Sequence, residues 1–123
     1  MATKRKILLV EDDADLRQEL AEQLDLHDEF EATQAATAAE GIDAVKADHL
    51  DLVLMDVGLP DMDGHEAVKI MRRNGFRGPV IMLTGQDSDA DTILGLEAGA
   101  NDYMAKPLDV DKLLSLVRVW MPR

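Results

Sequence analysis

The sequence has no cysteine and no long apolar run. The absence of cysteine excludes disulfides, thiolate metal sites and cysteine nucleophiles. No apolar stretch approaches the roughly 18–20 residues that a membrane span needs. The basic start, Met1 to Lys6, is followed only by residues 7–10 before Glu11, which is too short for a signal peptide. These absences are compatible with a reducing compartment. We therefore expect a cytoplasmic protein without a membrane partner.

Positive charge is also scarce. Thirteen basic residues against 25 acidic ones give a formal net charge of −12. Domains that bind nucleic acid carry basic surfaces, so direct contact of this domain with nucleic acid is disfavoured. The 46% of apolar residues is nevertheless enough for a core. The length suits one domain, residues 1–123, better than two.

Short apolar runs alternate with segments of helical spacing. Residues 7–10, 52–55 and 80–83 are apolar at every position, which is typical of strands covered on both faces of a parallel sheet. A weaker strand is predicted at 103–105, and an alternating edge strand at 30–33. Five predicted helices contribute apolar stripes: Leu16, Leu20 and Leu24; Ala38, Ile42 and Val45; Ala67 and Met71; Ala90, Leu94 and Ala98; and Val110, Leu113, Leu114 and Val117.

The starts of the predicted helices agree with this division. Thr37 with Glu40, and Asp63 with Glu66, have the spacing of capping boxes, and Asp109 can cap the last helix. Strict alternation of strand and helix predicts an α/β fold with a five-stranded parallel sheet and helices on both faces. For this (βα)5 doubly wound fold we expect strand order 2-1-3-4-5, with the ligand site at the carboxyl ends of strands 1 and 3.

Chemically active side chains follow four of the predicted strands. Strand 1 ends at residues 11–13, which are Glu-Asp-Asp, strand 3 at Asp56, strand 4 at Thr84 and strand 5 at Lys106. Carboxylate oxygens without histidine or cysteine suit a hard divalent ion such as Mg²⁺, which commonly shares its shell with a phosphate. Lys106 would supply a point charge for a phosphate oxygen, and Asp56 is the best placed nucleophile for an aspartyl phosphate. Helix capping alone would not place polar groups at the ends of three buried strands.

Four stretches of the sequence resemble the receiver domain of bacterial response regulators, and the resemblance covers essentially the whole chain. They are ILLVEDD (7–13), DLVLMDVGLPDMDG (51–64), PVIMLTG (79–85) and GLEAGANDYMAKP (95–107). The resemblance implies a CheY-like signalling switch in which Asp56 accepts a phosphoryl group from a histidine kinase or a histidine phosphotransfer protein. It also implies that the chain catalyses only its own phosphorylation and dephosphorylation.

The resemblance further implies a metal site. Asp12, Asp13 and Asp56 would hold Mg²⁺ together with the backbone carbonyl of Gly58. A phosphoryl group adds about −1.5 to −2 charge, so that a neighbouring metal and ammonium would stabilise it.

A second implied group of residues would read the phosphoryl group. Lys106 would contact it, Thr84 would move to bind it, and Tyr103 would turn inward into the space that Thr84 leaves. The peptide bond between Lys106 and Pro107 is expected to be cis, which costs an X–Pro bond only about 0.5–1 kcal/mol.

The last predicted helix carries more apolar residues than one buried stripe needs, because Leu116 and Trp120 lie outside the stripe. We therefore expect an output face formed by helix 4, strand 5 and helix 5, as the resemblance also implies. The same face would form a homodimer of the kind found in winged-helix regulators. Such a dimer is held by charge pairs, and Glu97 and Asp102 match their acidic members. The basic members are not matched at the expected positions, and Arg118 would substitute for them. The residues assigned to this face are Leu94, Glu97, Asp102, Leu116, Arg118 and Trp120.

Two other functions remain open. A metal-dependent phosphohydrolase of the haloacid-dehalogenase type also uses an aspartate at a strand end, but Gly58 stands where its general acid is required. A receiver fold can also bind a partner without being phosphorylated.

Two groups of polar residues are expected to have structural roles. The basic cluster of Arg72, Arg73 and Arg77 would cap the third helix, since the helix dipole favours cations there. The histidines belong to no paired motif and are expected at the surface or at helix ends. They are His27, His49 and His65.

Overall fold

Five parallel strands form one sheet in the computed structural model, which describes residues 4–85 and 98–121. The strands are β1 (Arg5–Val10), β2 (Phe30–Ala35), β3 (Leu52–Asp56), β4 (Val80–Thr84) and β5 (Asp102–Ala105). Their order is β2-β1-β3-β4-β5. The predicted α/β fold and its strand order are confirmed.

Helices cover both faces of this sheet. They are α1 (Ala14–Asp25), α2 (Ala38–Ala47), α3 (Gly64–Arg73) and the C-terminal helix α4 (Val110–Trp120). The helix α4 is the one predicted as helix 5 from the sequence. The helices α2 and α3 share one buried cluster, whereas α1 and α4 share the other. The predicted helix with the stripe Ala90, Leu94 and Ala98 falls largely on residues 86–97, outside the described residues.

The central strands are apolar because both of their faces are covered. Every residue of β3 and β4 is buried, and so are the last four residues of β1. Alternate residues point to opposite faces of a strand. Leu8 and Val53 therefore lie in the cluster under α2 and α3, whereas Leu9 and Leu54 lie in the cluster under α1 and α4. The edge strand β2 mixes buried and exposed positions, as its alternating pattern predicts.

Each of the four described helices begins after a capping side chain. The cap accepts hydrogen bonds from backbone N–H groups of the first turn, which have no partner within the helix. The expected caps of the last three helices are confirmed, although Asp63 bonds the N–H of His65 rather than that of Glu66. The four capping residues are Asp13, Thr37, Asp63 and Asp109.

Gly64 allows α3 to begin directly beside the end of β3. Its N–H donates to the carbonyl of Val57 at 2.8 Å. A Cβ atom at this position would overlap the carbonyl oxygen of Asp56. Glycine is therefore required for the close approach that places α3 next to Asp56. In the described ranges, no helix is long and apolar enough to cross a membrane.

Candidate functional site

The carboxyl ends of β1 and β3 bring three carboxylates together. The two strands pair Val10 with Met55, so that Glu11 and Asp56 follow on neighbouring strands. One carboxylate oxygen from each of Glu11, Asp12 and Asp56 lies within 4.8 Å of the others. Glu11 and Asp56 are buried, whereas Asp12 is exposed. The cluster is therefore accessible from solvent on the side of Asp12.

Lys106 joins the two buried carboxylates. It follows β5, whose last residue, Ala105, pairs with Thr84 of β4. Its Nζ donates to Oε1 of Glu11 at 2.5 Å and to Oδ1 of Asp56 at 3.2 Å. One ammonium thus contacts two of the three carboxyl groups of the cluster.

Burial strongly perturbs the protonation of this site. Desolvation raises the pKa of Glu11 to about 7; the hydrogen bond from Lys106 opposes this shift, and the neighbouring Asp56 reinforces it. Burial acts to lower the pKa of Lys106, but its hydrogen bond to Glu11 and the charge of Asp56 raise it above the usual value. Without another cation, the site therefore holds a proton on Glu11 up to about neutral pH.

The donor set fits a hard divalent cation. The three carboxylates offer only oxygen ligands, and a cation among them would favour the ionised form of Glu11. Gly58 lies two residues beyond Asp56, in the loop between β3 and α3, where its backbone forms an isolated bridge with Asp63. Its backbone carbonyl is thus close in sequence to the cluster, and its role as a metal ligand stays a prediction.

Asp13 has a different environment from the one expected. Its Oδ1 accepts hydrogen bonds from the N–H groups of Asp15 and Leu16 at 3.0 and 3.1 Å, as the cap of α1. Glu11 takes the third place in the cluster, because it continues β1 beside β3. The strand register is the signal that would have identified Glu11. Because Val10 pairs with Met55, the next residues, Glu11 and Asp56, lie side by side.

The other predicted site residues lie on β4 and β5. Thr84 is buried at the end of β4, and its carbonyl accepts a hydrogen bond from the N–H of Lys106 at 2.6 Å. Tyr103 is half-buried on β5 and pairs with Met82. The bond between Lys106 and Pro107 is cis, as the resemblance implies. The movement of Thr84 and Tyr103 on phosphorylation stays a prediction.

Four of the residues assigned to the output face lie on β5 and α4, namely Asp102, Leu116, Arg118 and Trp120. The Nε1 of Trp120 donates to Oδ2 of Asp102 at 2.9 Å, so the two elements are joined by a direct hydrogen bond. A groove of about 510 Å³ runs between them, and Tyr103, Leu116 and Val119 are part of its lining. Leu94 and Glu97, which complete the predicted face, lie outside the described residues.

Arg118 is not placed as expected. Its guanidinium donates to Oε1 of Glu29 at 2.6 Å and lies over the ring of Phe30, 5.8 Å from the centroid. Two positions along a helix correspond to a rotation of about 200°, so Arg118 faces away from Leu116 and towards β2. The assignment of Arg118 to the output face is therefore wrong.

Two further polar residues of α3, Arg72 and His65, were given structural roles from the sequence. Arg72 donates to the carbonyls of Phe76, Gly78 and Gly99, all of which lie outside α3, so it ties the helix to the loops before and after β4 and does not cap the last carbonyls of the helix. His65 lies at a helix end, as predicted, but is buried there. Its Nδ1 is 2.7 Å from Oδ1 of Asp63, and its Nε2 has no hydrogen-bond partner within the described part of the chain.

The comparisons with known proteins agree with this geometry. The family described as the response regulator receiver domain matches residues 7–118, and this chain belongs to that family. It is 38% identical over 118 residues to the transcriptional regulatory protein PmrA of Pectobacterium parmentieri, covering 96% of this chain and 53% of that protein. It is 40% identical over 114 residues to the response regulator protein PmrA of Pseudomonas aeruginosa, covering 92% and 51%. The chain thus spans about half the length of these curated relatives.

Solved receiver domains share the fold. The chemotaxis protein CheY4 of Vibrio cholerae superposes with a TM-score of 0.92 at 27% identity, covering 97% of this chain and all of the other (100%). The BeF3-activated N-terminal receiver domain of Klebsiella pneumoniae RstA gives a TM-score of 0.88 at 33% identity, with coverage of 97% and 100%. Signal transduction by a response regulator receiver is therefore the function class of this chain.

Proposed function

We propose that this domain is a phosphorylation-dependent switch in which Asp56 accepts a phosphoryl group from the phosphohistidine of a histidine kinase or a histidine phosphotransfer protein. The observation that carries the proposal is the contact of Lys106 with the buried Asp56, inside an acidic cluster that opens to solvent at Asp12. Such a site combines a carboxylate nucleophile, a fixed ammonium and an opening to solvent.

The proposed cofactor is Mg²⁺. Glu11, Asp12 and Asp56 would hold it with their carboxylates, and Gly58 with its backbone carbonyl. When bound, the metal supplies positive charge that neutralises the phosphoryl oxygens. This ligand set replaces Asp13 with Glu11, because Asp13 is engaged as a helix cap.

The proposed chemistry is a direct transfer. An oxygen of Asp56 forms a bond to phosphorus as the bond between phosphorus and the imidazole nitrogen of the donor breaks, and the electron pair of that bond stays on the nitrogen. Lys106, already 3.2 Å from Oδ1 of Asp56, stabilises the added negative charge. Thr84 ends the neighbouring strand, where its hydroxyl would donate to a phosphoryl oxygen.

The switch requires a second conformation that binds the phosphoryl group better than the first. We propose that Thr84 moves towards the phosphoryl group, that Tyr103 turns inward, and that the change reaches the face formed by the predicted fourth helix, β5 and α4. Leu116 and Trp120 on α4 are the candidate contacts there for a partner or a second copy of the chain. In the structure Asp102 already binds Trp120, which competes with an intermolecular charge pair at Asp102.

The length and the names of the relatives support a proposal about the output of the switch. Those named transcriptional regulators are about twice as long as this chain, so we propose that the receiver regulates a DNA-binding partner domain and does not itself contact DNA. We also propose that the domain turns over no external substrate and catalyses only its own phosphorylation and dephosphorylation. Its cytoplasmic location stays a prediction.

Incubation with acetyl phosphate and Mg²⁺, followed by intact-mass measurement, tests the proposal. We expect one phosphoryl adduct on the wild type and on Asp43→Asn, an exposed control, and none on Asp56→Asn. An adduct that survives Asp56→Asn would place the acceptor elsewhere. No adduct on the wild type would contradict the switch and favour a receiver fold that binds a partner without phosphorylation. Turnover of generic phosphate esters in the same assay would indicate a phosphohydrolase.

A further inference from the structure

Asp61 connects the loop between β3 and α3 to a different helix. Its Oδ1 accepts a hydrogen bond from the N–H of Ala38 at 2.9 Å, and its Oδ2 one from the N–H of Ala39 at 3.0 Å. Ala38 and Ala39 are the first two residues of α2, where backbone N–H groups lack partners within the helix. These two hydrogen bonds lower the pKa of Asp61 below its usual value, so the carboxylate is ionised near neutral pH.

The start of α2 already has capping contacts from its own sequence. Oγ1 of Thr37 accepts from the N–H of Glu40 at 3.1 Å, and Oε2 of Glu40 accepts from the N–H of Ala36 at 2.7 Å. Both of these contacts span only a few residues, whereas Asp61 reaches α2 from more than 20 residues away. The Asp61 contacts therefore add a link between two parts of the chain, beyond what capping of α2 provides.

The loop that carries Asp61 also carries the proposed metal ligand Gly58. Its beginning is held to the sheet, since the N–H of Val57 donates to the carbonyl of Leu83 at 3.0 Å. Its end is tied back to its beginning, since the N–H of Gly64, the first residue of α3, donates to the carbonyl of Val57 at 2.8 Å. Asp61 lies between these two anchors and holds the middle of the loop against α2.

We propose that Asp61 is a positioning residue for the metal site: its carboxylate fixes the β3–α3 loop against α2 and thereby holds the carbonyl of Gly58 ready for Mg²⁺. The inference rests on the proposed function, because it assigns a role in holding the proposed cofactor. Asp61 is not itself placed in the cluster of Glu11, Asp12 and Asp56. Its effect on the metal therefore passes through the loop.

Glu40→Ala is the matched control for Asp61→Ala. Both variants remove one negative charge and one hydrogen-bonding carboxylate from the start of α2, but only Asp61 also holds the loop. Loss of a group that bonds a metal ligand directly weakens metal binding about 10- to 100-fold, and Asp61 acts one step further away, through the loop. We expect Asp61→Ala to raise the Kd of Mg²⁺, measured by titration calorimetry, about 5-fold, and Glu40→Ala to change it less than about 2-fold.

A second measurement needs no metal. Amide hydrogen exchange of the metal-free protein should be faster at Leu59 and Gly64 in Asp61→Ala, because the N–H groups of both donate to Val57 within the loop. In Glu40→Ala, faster exchange should be confined to the start of α2. Asp61→Asn keeps one acceptor oxygen and should show smaller changes in the same direction, which gives the test a second variant if Asp61→Ala does not fold.

The outcomes separate the two proposals. Equal Mg²⁺ affinity in the wild type and Asp61→Ala, or equal weakening in Asp61→Ala and Glu40→Ala, would overturn the positioning role and leave the metal site standing. Loop exchange unchanged by Asp61→Ala would overturn it as well. A wild type that binds no Mg²⁺ would overturn the proposed metal site, and the inference with it.

Discussion

The amino ends and the carboxyl ends of the strands, called here the amino edge and the carboxyl edge of the sheet, each hold a cation that ties several elements together. The two networks differ in their acceptors. At the amino edge, Arg72 donates to the backbone carbonyls of Gly99, Phe76 and Gly78 and to the side chain of Asn101. At the carboxyl edge, Lys106 donates to Glu11 and Asp56.

The difference separates a structural network from a reactive one. The carbonyl and amide acceptors around Arg72 are neutral, so the network keeps the positive charge of the guanidinium and contains no carboxylate that could bind a metal cation. At the carboxyl edge two buried carboxyl groups share the single ammonium of Lys106, and desolvation raises the pKa of Glu11 to about 7. Ionising both of these buried groups is costly until another cation arrives, so the carboxyl edge is the one suited to a metal and a phosphoryl group.

The largest expected effect comes from removing the cation of the carboxyl edge. Lys106→Met should slow phosphorylation by acetyl phosphate about 100-fold, since the loss of one donor that stabilises developing charge typically costs a factor of about 10² to 10³. The measurement is the rate of adduct formation by intact mass at saturating Mg²⁺. Lys112→Met, at the exposed start of α4, is the control and should react at the wild-type rate. A variant at position 106 that reacts as fast as the wild type would contradict the contrast between the edges.

Removing the cation of the amino edge should affect stability instead of reactivity. Arg72→Met leaves the carbonyls of Phe76, Gly78 and Gly99 without their donor, and we expect a loss of about 3 kcal/mol in the free energy of unfolding. Urea unfolding measures this loss, with the exposed Arg73→Met as control. Where both proteins are folded, the phosphorylation rate of Arg72→Met should equal that of the wild type. A slower rate there would show that the two edges are coupled.

The protonation of Glu11 predicts how the carboxyl edge responds to pH. The pKa of Glu11 is about 7 when folded, against 4.5 ordinarily, so the folded state binds this proton more tightly than the unfolded state. Its contribution to stability is therefore fully present below pH 4.5 and is lost as the pH rises to about 7. Mg²⁺ should displace the proton, so we expect the metal to raise Tm several degrees more at about pH 8 than at about pH 6. In Glu11→Gln this difference between the two pH values should disappear, and its persistence would assign the proton to another group.

The smallest expected effect concerns a polar group outside both networks. His65 is buried with an Nε2 that has no partner in the described ranges, so replacing it with leucine removes an unsatisfied polar atom. We expect His65→Leu to raise the free energy of unfolding by up to about 1 kcal/mol. His49→Leu, at a side chain that is 90% exposed, is the control and should change stability little. Thermal unfolding of both variants measures the difference, and a clear loss of stability in His65→Leu would show that its contact with Asp63 is worth more than the orphaned nitrogen costs.

Much of the fold and of the site was predictable from the sequence for simple physical reasons. The apolar runs of β1, β3 and β4 are buried on both faces, so their positions show directly in the sequence. Asp56, Thr84 and Lys106 follow buried strands, and a parallel sheet necessarily brings such residues to one edge. Boundaries differed by one or two residues, because backbone pairing extends beyond the apolar run, as at Arg5 and Lys6 of β1.

Other features required the three-dimensional arrangement. Arg118 was misplaced because a sequence pattern shows which face of α4 is apolar but not which neighbour, here Glu29, attracts a charge on the other side. The link from Asp61 to Ala38 and Ala39 joins residues far apart in the chain, and a carboxylate in a loop has no periodicity that would reveal its partner. The burial of His65 likewise depends on what packs over the first turn of α3.

The sequence by itself determined the alternation of strands and helices, the edge of the sheet at which polar groups gather, and the identity of the residues at the ends of β3, β4 and β5. Only the tertiary structure decided which acids of the run 11–13 face Asp56. The strand register sets Glu11 beside β3, while the turn into α1 directs Asp13 to the first N–H groups of the helix. Residues two positions apart thus have different neighbours, because β1 ends just before Glu11 and α1 begins just after Asp13.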